Sequence, residues 1–290
     1  MKSNLKSFEN YGFVKFDNLI DKDKCKALYN DLRNCRNWGP SLFLSEKEFK
    51  NNPQIKKTNP GKNIHNLIDK YNLDFIEKNS GINKILNKLL GKNFEIMLSK
   101  FVVAVPESWM PKYVKNIHKK SLISNFNPYI KKEYRDVTHF RGIDYHMDSI
   151  DWENQNNKFI TMYIYLNKVE KYMSPLNVIK KSHKLGHTSF PHYIKDFKNK
   201  DYLLYSSDNE KFSKYKKETL VGNTGAVYFW TSNTLHGTSP SKSKRDDFRI
   251  SLRYLIKKKT KNKSLIDKII NQDIIHGVRS KKKNYKRVLI

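Results

Sequence analysis

Phe248 to Ile256, FRISLRYLI, alternates apolar and polar residues without a break over its first seven positions. Successive side chains of a strand point to opposite faces. Phe248, Ile250, Leu252 and Tyr254 therefore share one face, and Arg249, Ser251 and Arg253 share the other. The apolar face needs a layer packed against it. The other face is either solvated or inward, and an inward arginine is costly unless a carboxylate meets it. The segment thus predicts a layered β fold with a face that is either wet or built to receive an anion.

Three further segments support that class. Phe159–Leu166 (FITMYIYL) and Leu176–Ile179 read as strands, and Gly225–Trp230 (GAVYFW) is apolar on both faces, as a buried strand is. Short strands joined by turns suggest a sandwich or barrel. Upstream, Tyr11–Phe16 reads as a strand, and Asp21 as the N-cap of a helix over Lys22–Asn34 with Cys25, Leu28 and Leu32 at helical spacing. Asn51–Asn63 reads as loop, Ile64–Leu90 as two helical patterns separated by Asn79-Ser80-Gly81, and Phe94–Val105 as β. Trp109–Asp136 reads as a long lysine-rich loop with some helix, of the kind that forms a lid or pocket wall. We expect one domain over 1–260, with helices in 1–93 and the β core in 94–256. A basic tail, 257–290, carries one amphipathic stretch at Ser264–Ile275 and is expected outside the core.

Charge bounds the partners. The 57 Lys+Arg outnumber 28 Asp+Glu, for a formal net charge of +29. Such a field attracts anions of every size. The basic residues are spread along the chain rather than gathered in a stripe, and Lys, Asn and Ile are enriched together, as in an AT-rich genome. Compositional drift therefore ranks ahead of nucleic-acid binding. Two cysteines, Cys25 and Cys35, make neither a disulfide framework nor a thiolate metal site. The N-terminus shows no apolar signal core, and no run approaches the roughly 18–20 apolar residues that span a bilayer. A cytoplasmic setting is the expectation.

The chemistry concentrates in Asp144-Tyr145-His146-Met147-Asp148-Ser149-Ile150-Asp151-Trp152. Residues i and i+2 of a strand aim at one side, so His146 and Asp148 present an imidazole and a carboxylate to a common point. His236, just after the buried strand Gly225–Trp230, is the candidate third ligand. Two histidines and a carboxylate on one face of a metal leave the opposite positions open, the arrangement of non-haem iron oxygenases. The same three groups can hold zinc for hydrolysis, and His-x-Asp alone is a weak pattern. The order of parts adds weight: His-x-Asp, strand, buried strand with a trailing His, then Arg249 on the next strand.

These parts resemble the phytanoyl-CoA dioxygenase family of 2-oxoglutarate oxygenases. Tyr145-His146-Met147-Asp148 with Trp152 resembles the family's metal motif. Ser174-Pro175-Leu176 through Ser182-His183-Lys184 resembles its Gly-Pro-Leu…Pro-Gly-Ser-His-Lys segment. Leu235-His236-Gly237-Thr238 resembles its distal histidine, and Phe248-Arg249 its co-substrate arginine. The match spans roughly Tyr145–Leu255, with a weaker echo at Tyr11–Leu32. It implies a mainly β, double-stranded β-helix (jelly-roll, cupin-like) core with flanking N-terminal helices. It also implies iron(II) on His146, Asp148 and His236, with 2-oxoglutarate and dioxygen as co-substrates. Arg249 would hold the 2-oxoglutarate carboxylate, assisted by Thr238, with Tyr163 lining the co-substrate pocket. Arg245 is a rival for the arginine role. The family's glycines before Pro175 and before Ser182 are Ser174 and Lys181 here, which puts those turns in question. A carboxylate at Asp148 argues against a halogenase, which leaves that position free for halide.

Other residues receive plainer readings. Arg141, Trp152 and Lys100 are candidate substrate contacts; their plain alternatives are solvated surface, packing and a solvated strand lysine. His183 reads as the fixed point of a turn, His187 and His192 as surface or rim, and Asp144 as a substitute ligand or outer partner of the metal group. The expected reaction is hydroxylation of a C–H bond in a small molecule, with an anion favoured by the charge. The alternatives are a zinc or manganese hydrolase or isomerase on the same fold, a nucleic-acid-directed oxygenase or binding protein, and a jelly roll that binds ligand without catalysis.

Overall fold

The computed structural model describes residues 2–51, 66–120, 125–149, 158–188, 192–206, 209–243, 247–259, 262–270 and 274–276. The chain opens with helix α1 (Lys2–Tyr11) and strand β1 (Phe13–Phe16). Tyr11 thus ends a helix instead of starting a strand. Gly12 makes the break, with φ +82°, a backbone region that glycine enters freely. Any Cβ there would lie 2.5 Å from His183 Nδ1. Asp21 caps α2 (Lys22–Asn34) as expected, accepting from the backbone N–H of Asp23 and Lys24. Cys25, Leu28 and Leu32 form its buried face.

Helices α3 (Glu46–Asn51), α4 (Asp74–Glu77) and α5 (Ser80–Leu90) follow. Only the second of the two helical patterns in 64–90 makes a full helix. Asn79 caps α5 through Ile82 N–H, so Ser80 and Gly81 form its first turn instead of a gap. The expected loop at 51–63 lies, beyond Asn51, outside the described residues. Strand β2 (Phe94–Ala104) and helix α6 (Lys112–Lys120) come next. The 109–136 segment is more structured than a lid. Trp109, Tyr113, Phe126 and Tyr129 are buried in the main core.

Strands β3 (Thr138–Phe140), β4 (Ile143–His146), β5 (Phe159–Tyr165), β6 (Leu176–Ile179), β7 (His187–Thr188), β8 (Tyr193–Asp196), β9 (Tyr202–Ser206), β10 (Ser213–Leu220), β11 (Val227–Thr231), β12 (His236–Thr238) and β13 (Ile250–Lys258) build the core. Helix α7 (Leu265–Ile269) and strand β14 (Ile274–His276) close the described chain. One sheet runs β1-β11-β5-β13-β2-β3 and the other β4-β12-β6-β10-β9-β8, with β7 and β14 as a small parallel pair. Curled over one another, the two large sheets form the double-stranded β-helix, with helices flanking the first.

Register separates the two faces of the first sheet. Leu252 pairs with Phe101 and Ile164; these and their even-phase neighbours pack against α2 and α5. Arg253 pairs with Lys100 and Tyr163, so these three share the opposite face, toward the second sheet. There Tyr163, Tyr165 and Trp230 meet Leu176 and Val178 in a separate cluster. Each fully buried Leu or Ile on the helix side contributes about 1.5–3 kcal/mol through burial. The amphipathic stretch after β13 is tied into this packing. Ile266, Ile269 and Ile270 belong to the main core, and Asp267 accepts from Lys258 and Ser264.

The two turns that lack the family's glycines keep left-handed backbone. Ser174 has φ 58° and Lys181 φ 69°. Ser174 Oγ donates to Ser239 O at 2.5 Å, and Lys181 N–H donates to Tyr11 O at 3.1 Å.

Candidate active site

The registers bring His146 and His236 face to face. His146 ends β4 and pairs directly with His236 at the start of β12, their ring centroids 4.3 Å apart. Gly142 permits the approach of β4, since a Cβ there would lie 2.9 Å from Thr238 O. Asp148 stands two residues beyond the strand end, not within it as strand alternation alone suggests. Ser149 N–H, bonded to Ser232 O, pins that segment against the turn after β11. Asp148 Oδ1 lies 3.8 Å from His146 Nε2 and 3.7 Å from His236 Nε2. The three ligand atoms sit within 4.8 Å of one another and can hold a metal ion.

The protonation states suit a metal. His236 Nδ1 is 2.9 Å from Thr234 O, which only accepts, so Nδ1 carries the proton and Nε2 keeps its lone pair toward Asp148. Burial, reinforced by His146, pushes His236 down to about 3 against the pull of Asp148, so the ring is neutral at pH 7. For Asp148, burial alone would raise the carboxyl. Arg253, then the two imidazoles and the Thr161 hydrogen bond, outweigh it and hold the group below the usual carboxylate range. A neutral imidazole at His236 and an ionised carboxylate at Asp148 belong to the donor set iron(II) takes in a facial arrangement.

Arg249 is 1% exposed just before β13. Its Nη1 donates to Tyr163 Oη at 3.2 Å, and its guanidinium lies over the Tyr163 and Tyr165 rings. Its Nε is buried without a hydrogen-bond partner, and no carboxylate pairs with it among the described residues. This is a poor place for a structural arginine and a good one for an anchor of a dicarboxylate such as 2-oxoglutarate. Thr238 is buried at the end of β12.

The remaining candidates separate. Lys100 is only 6% exposed and sits across from Arg253, so it is not a solvated strand lysine. Arg141 is paired with Glu107 at 2.9 Å, which replaces the solvated reading. Trp152, Arg245 and the Asp144 side chain lie outside the described residues. His183 is the turn's fixed point, Nε2 at 3.1 Å from Glu9 O. His192 is buried against Tyr205, 3.0 Å from its hydroxyl, and is no rim residue. Sequence reasoning missed three partners of Asp148: Thr161 (2.6 Å), Trp230 (3.2 Å) and Arg253. The signal was present. Arg253 shares the Arg249 face of its strand, and Thr161 shares the Tyr163 face.

The phytanoyl-CoA dioxygenase (PhyH) family model matches residues 8–251. No curated protein sequence matches the chain. Among solved structures, the chain is similar to the non-haem alpha-ketoglutarate-dependent carbocyclase SnoK from nogalamycin biosynthesis. The two share 12% identity over 89% of this chain and 84% of that one, with a TM-score of 0.50. It is also similar to AviO1 from Streptomyces viridochromogenes Tue57 (11% identity, 91% and 97% coverage, TM-score 0.49). Iron-bound EctD from S. alaskensis is a third (12% identity, 89% and 76% coverage, TM-score 0.48). The likeness to SnoK speaks to fold; the family match speaks to chemistry. The chain belongs to the phytanoyl-CoA dioxygenase family, the 2-oxoglutarate-dependent non-haem iron enzymes of jelly-roll fold.

Proposed function

We propose that the protein hydroxylates a C–H bond of a small anionic molecule, releasing succinate and carbon dioxide. His146, Asp148 and His236 are the metal ligands, and Arg249 anchors the far carboxylate of 2-oxoglutarate. The observation that carries this reading is Arg249: a buried guanidinium with an unpartnered Nε and no carboxylate partner among the described residues, one residue before the strand whose Arg253 reaches Asp148. The two arginines are four positions apart on one face, roughly 13 Å along a strand.

Bound there, iron and 2-oxoglutarate supply the activation of dioxygen. The chain's own groups orient and shield. Thr234 O fixes the His236 tautomer, and Tyr163 Oη steadies Arg249. The Trp230, Tyr163 and Tyr165 rings keep water from the co-substrate end. An anionic substrate is favoured by the net charge and by Lys100 on the inner face of the first sheet.

The test is the anaerobic visible spectrum of the protein with iron(II) and 2-oxoglutarate. A weak charge-transfer band requiring both additives, lost in Asp148→Ala and weakened in Arg249→Ala, is the expected result. Stoichiometric metal binding without the band would overturn the reading in favour of a zinc-type or non-catalytic jelly roll.

A further inference from the structure

Asp148 is met by donors from three strands of the first sheet. Thr161 Oγ1 on β5 donates to Oδ2 at 2.6 Å, and Trp230 Nε1 on β11 donates to the same oxygen at 3.2 Å. Arg253 Nη2 on β13 donates to Oδ1 at 2.5 Å. Oδ1 is also the atom that faces both histidine Nε2 atoms. An ionised carboxylate has about four lone-pair sites, two on each oxygen. Among the described residues, both sites on Oδ2 are taken and one on Oδ1. A single site is left, on the oxygen that faces the imidazoles.

We propose that Arg253 is a positioning residue which, with Thr161 and Trp230, restricts Asp148 to one metal bond. The inference rests on the reading of His146, Asp148 and His236 as metal ligands. A carboxylate free to turn can bind a metal through both oxygens, and the second bond would fill a position that the facial arrangement keeps open for co-substrate and dioxygen. The hydroxyl and indole are neutral donors. The guanidinium makes the stronger, charge-assisted bond; it is what keeps the carboxylate from turning, since without it the two neutral Oδ2 bonds can break and offer Oδ2 to the metal. Its own placement is fixed by register, between Lys100 and Tyr163 on the neighbouring strands. An outer partner of this kind commonly changes metal affinity or activity by about 10–100-fold.

Cobalt(II) is the probe, added anaerobically to wild type, Arg253→Met and Arg253→Lys, followed by 2-oxoglutarate. Wild type and both variants are expected to bind one cobalt with affinities within about tenfold. In Arg253→Met the visible cobalt absorption shifts and 2-oxoglutarate affinity falls at least about tenfold; Arg253→Lys recovers most of both. A wild-type spectrum and wild-type co-substrate affinity in fully loaded Arg253→Met would overturn the proposal. So would complete loss of cobalt from a folded Arg253→Met, which would make the residue a requirement for binding instead of a limit on it. Should Arg253→Met fail to fold, Thr161→Val, which frees a site on Oδ2, is read by the same two measurements and the same two outcomes. A wild type that binds no cobalt overturns the metal-ligand reading itself.

Discussion

The two faces of β13 are made by alternate residues of one strand and do different work. On the helix side, Ile250, Leu252, Tyr254 and Ile256 are buried among apolar side chains from α2 and α5. On the other side, Ser251 and Arg253 follow Arg249 into a layer of tyrosines, a tryptophan and the Asp148 carboxylate. The first face contributes burial free energy and asks little of geometry. The second holds charges in a buried setting and contributes to stability only as far as each is paired. Stability and chemistry are thus separated by a single step along the chain, and substitutions on adjacent residues should fail in different ways.

The sharpest test of that division is Asp148→Ala. Succinate formation should fall at least about 10³-fold, beyond the 10–100-fold typical of an outer partner, while thermal unfolding stays cooperative. The opposite face should respond in reverse. Leu252→Ala should lower unfolding free energy by about 2–5 kcal/mol, yet the iron–co-substrate band per folded molecule should be unchanged; denaturant melts and spectra together check this. Arg249→Ala should raise the half-saturating 2-oxoglutarate concentration by the equivalent of about 1.5–3 kcal/mol, with metal affinity retained. A large loss of stability there would mean that the inner face is structural after all.

A smaller effect concerns His139, on the helix side of the same sheet. It is fully buried beside Trp38, its Nδ1 3.2 Å from Asn127 Oδ1. Burial first, and the Arg36 charge second, push it down to about 3. Below its ordinary value of 6.5 the unfolded chain takes up a proton that the folded chain does not. Stability should therefore fall as pH drops from 6.5 toward 3, by up to about 1.4 kcal/mol per pH unit from this group. His139→Gln should flatten that slope. The smallest expected effect is a gain. Lys181→Gly relieves a side chain held in left-handed backbone and should add about 1 kcal/mol, read from the melting midpoint.

Much of this was legible in the sequence. Strict alternation over 248–254 fixes which residues share a face, and the helix under Asp21 follows from cap and spacing together. The candidate metal group was readable because its parts come in a recognisable order. What escaped depends on register between distant segments. Nothing local places Thr161 or Trp230 on Asp148, since a strand pattern gives a face but not a partner. Helix α1 escaped because, among its described side chains, only Phe8 is fully buried, too little to set a period. The 109–136 segment looked like a lid because its aromatics are irregularly spaced. They are buried through short turns rather than one long element. The turns at Ser174 and Lys181 keep a glycine-like backbone without glycine, so residue identity understates how closely the shape is held.

The Arg253–Asp148 pair has one more consequence, for the life of the protein before it meets iron. Many metal pockets crowd several carboxylates together and are repulsive until a cation arrives. Here one carboxylate faces one guanidinium and two imidazoles, of which His236 is held neutral. The pocket's one carboxylate is thus already paired with a cation of the chain itself. On the proposed function, folding is therefore expected to precede metal acquisition, so that iron supply would govern how much of the protein is active rather than how much of it exists.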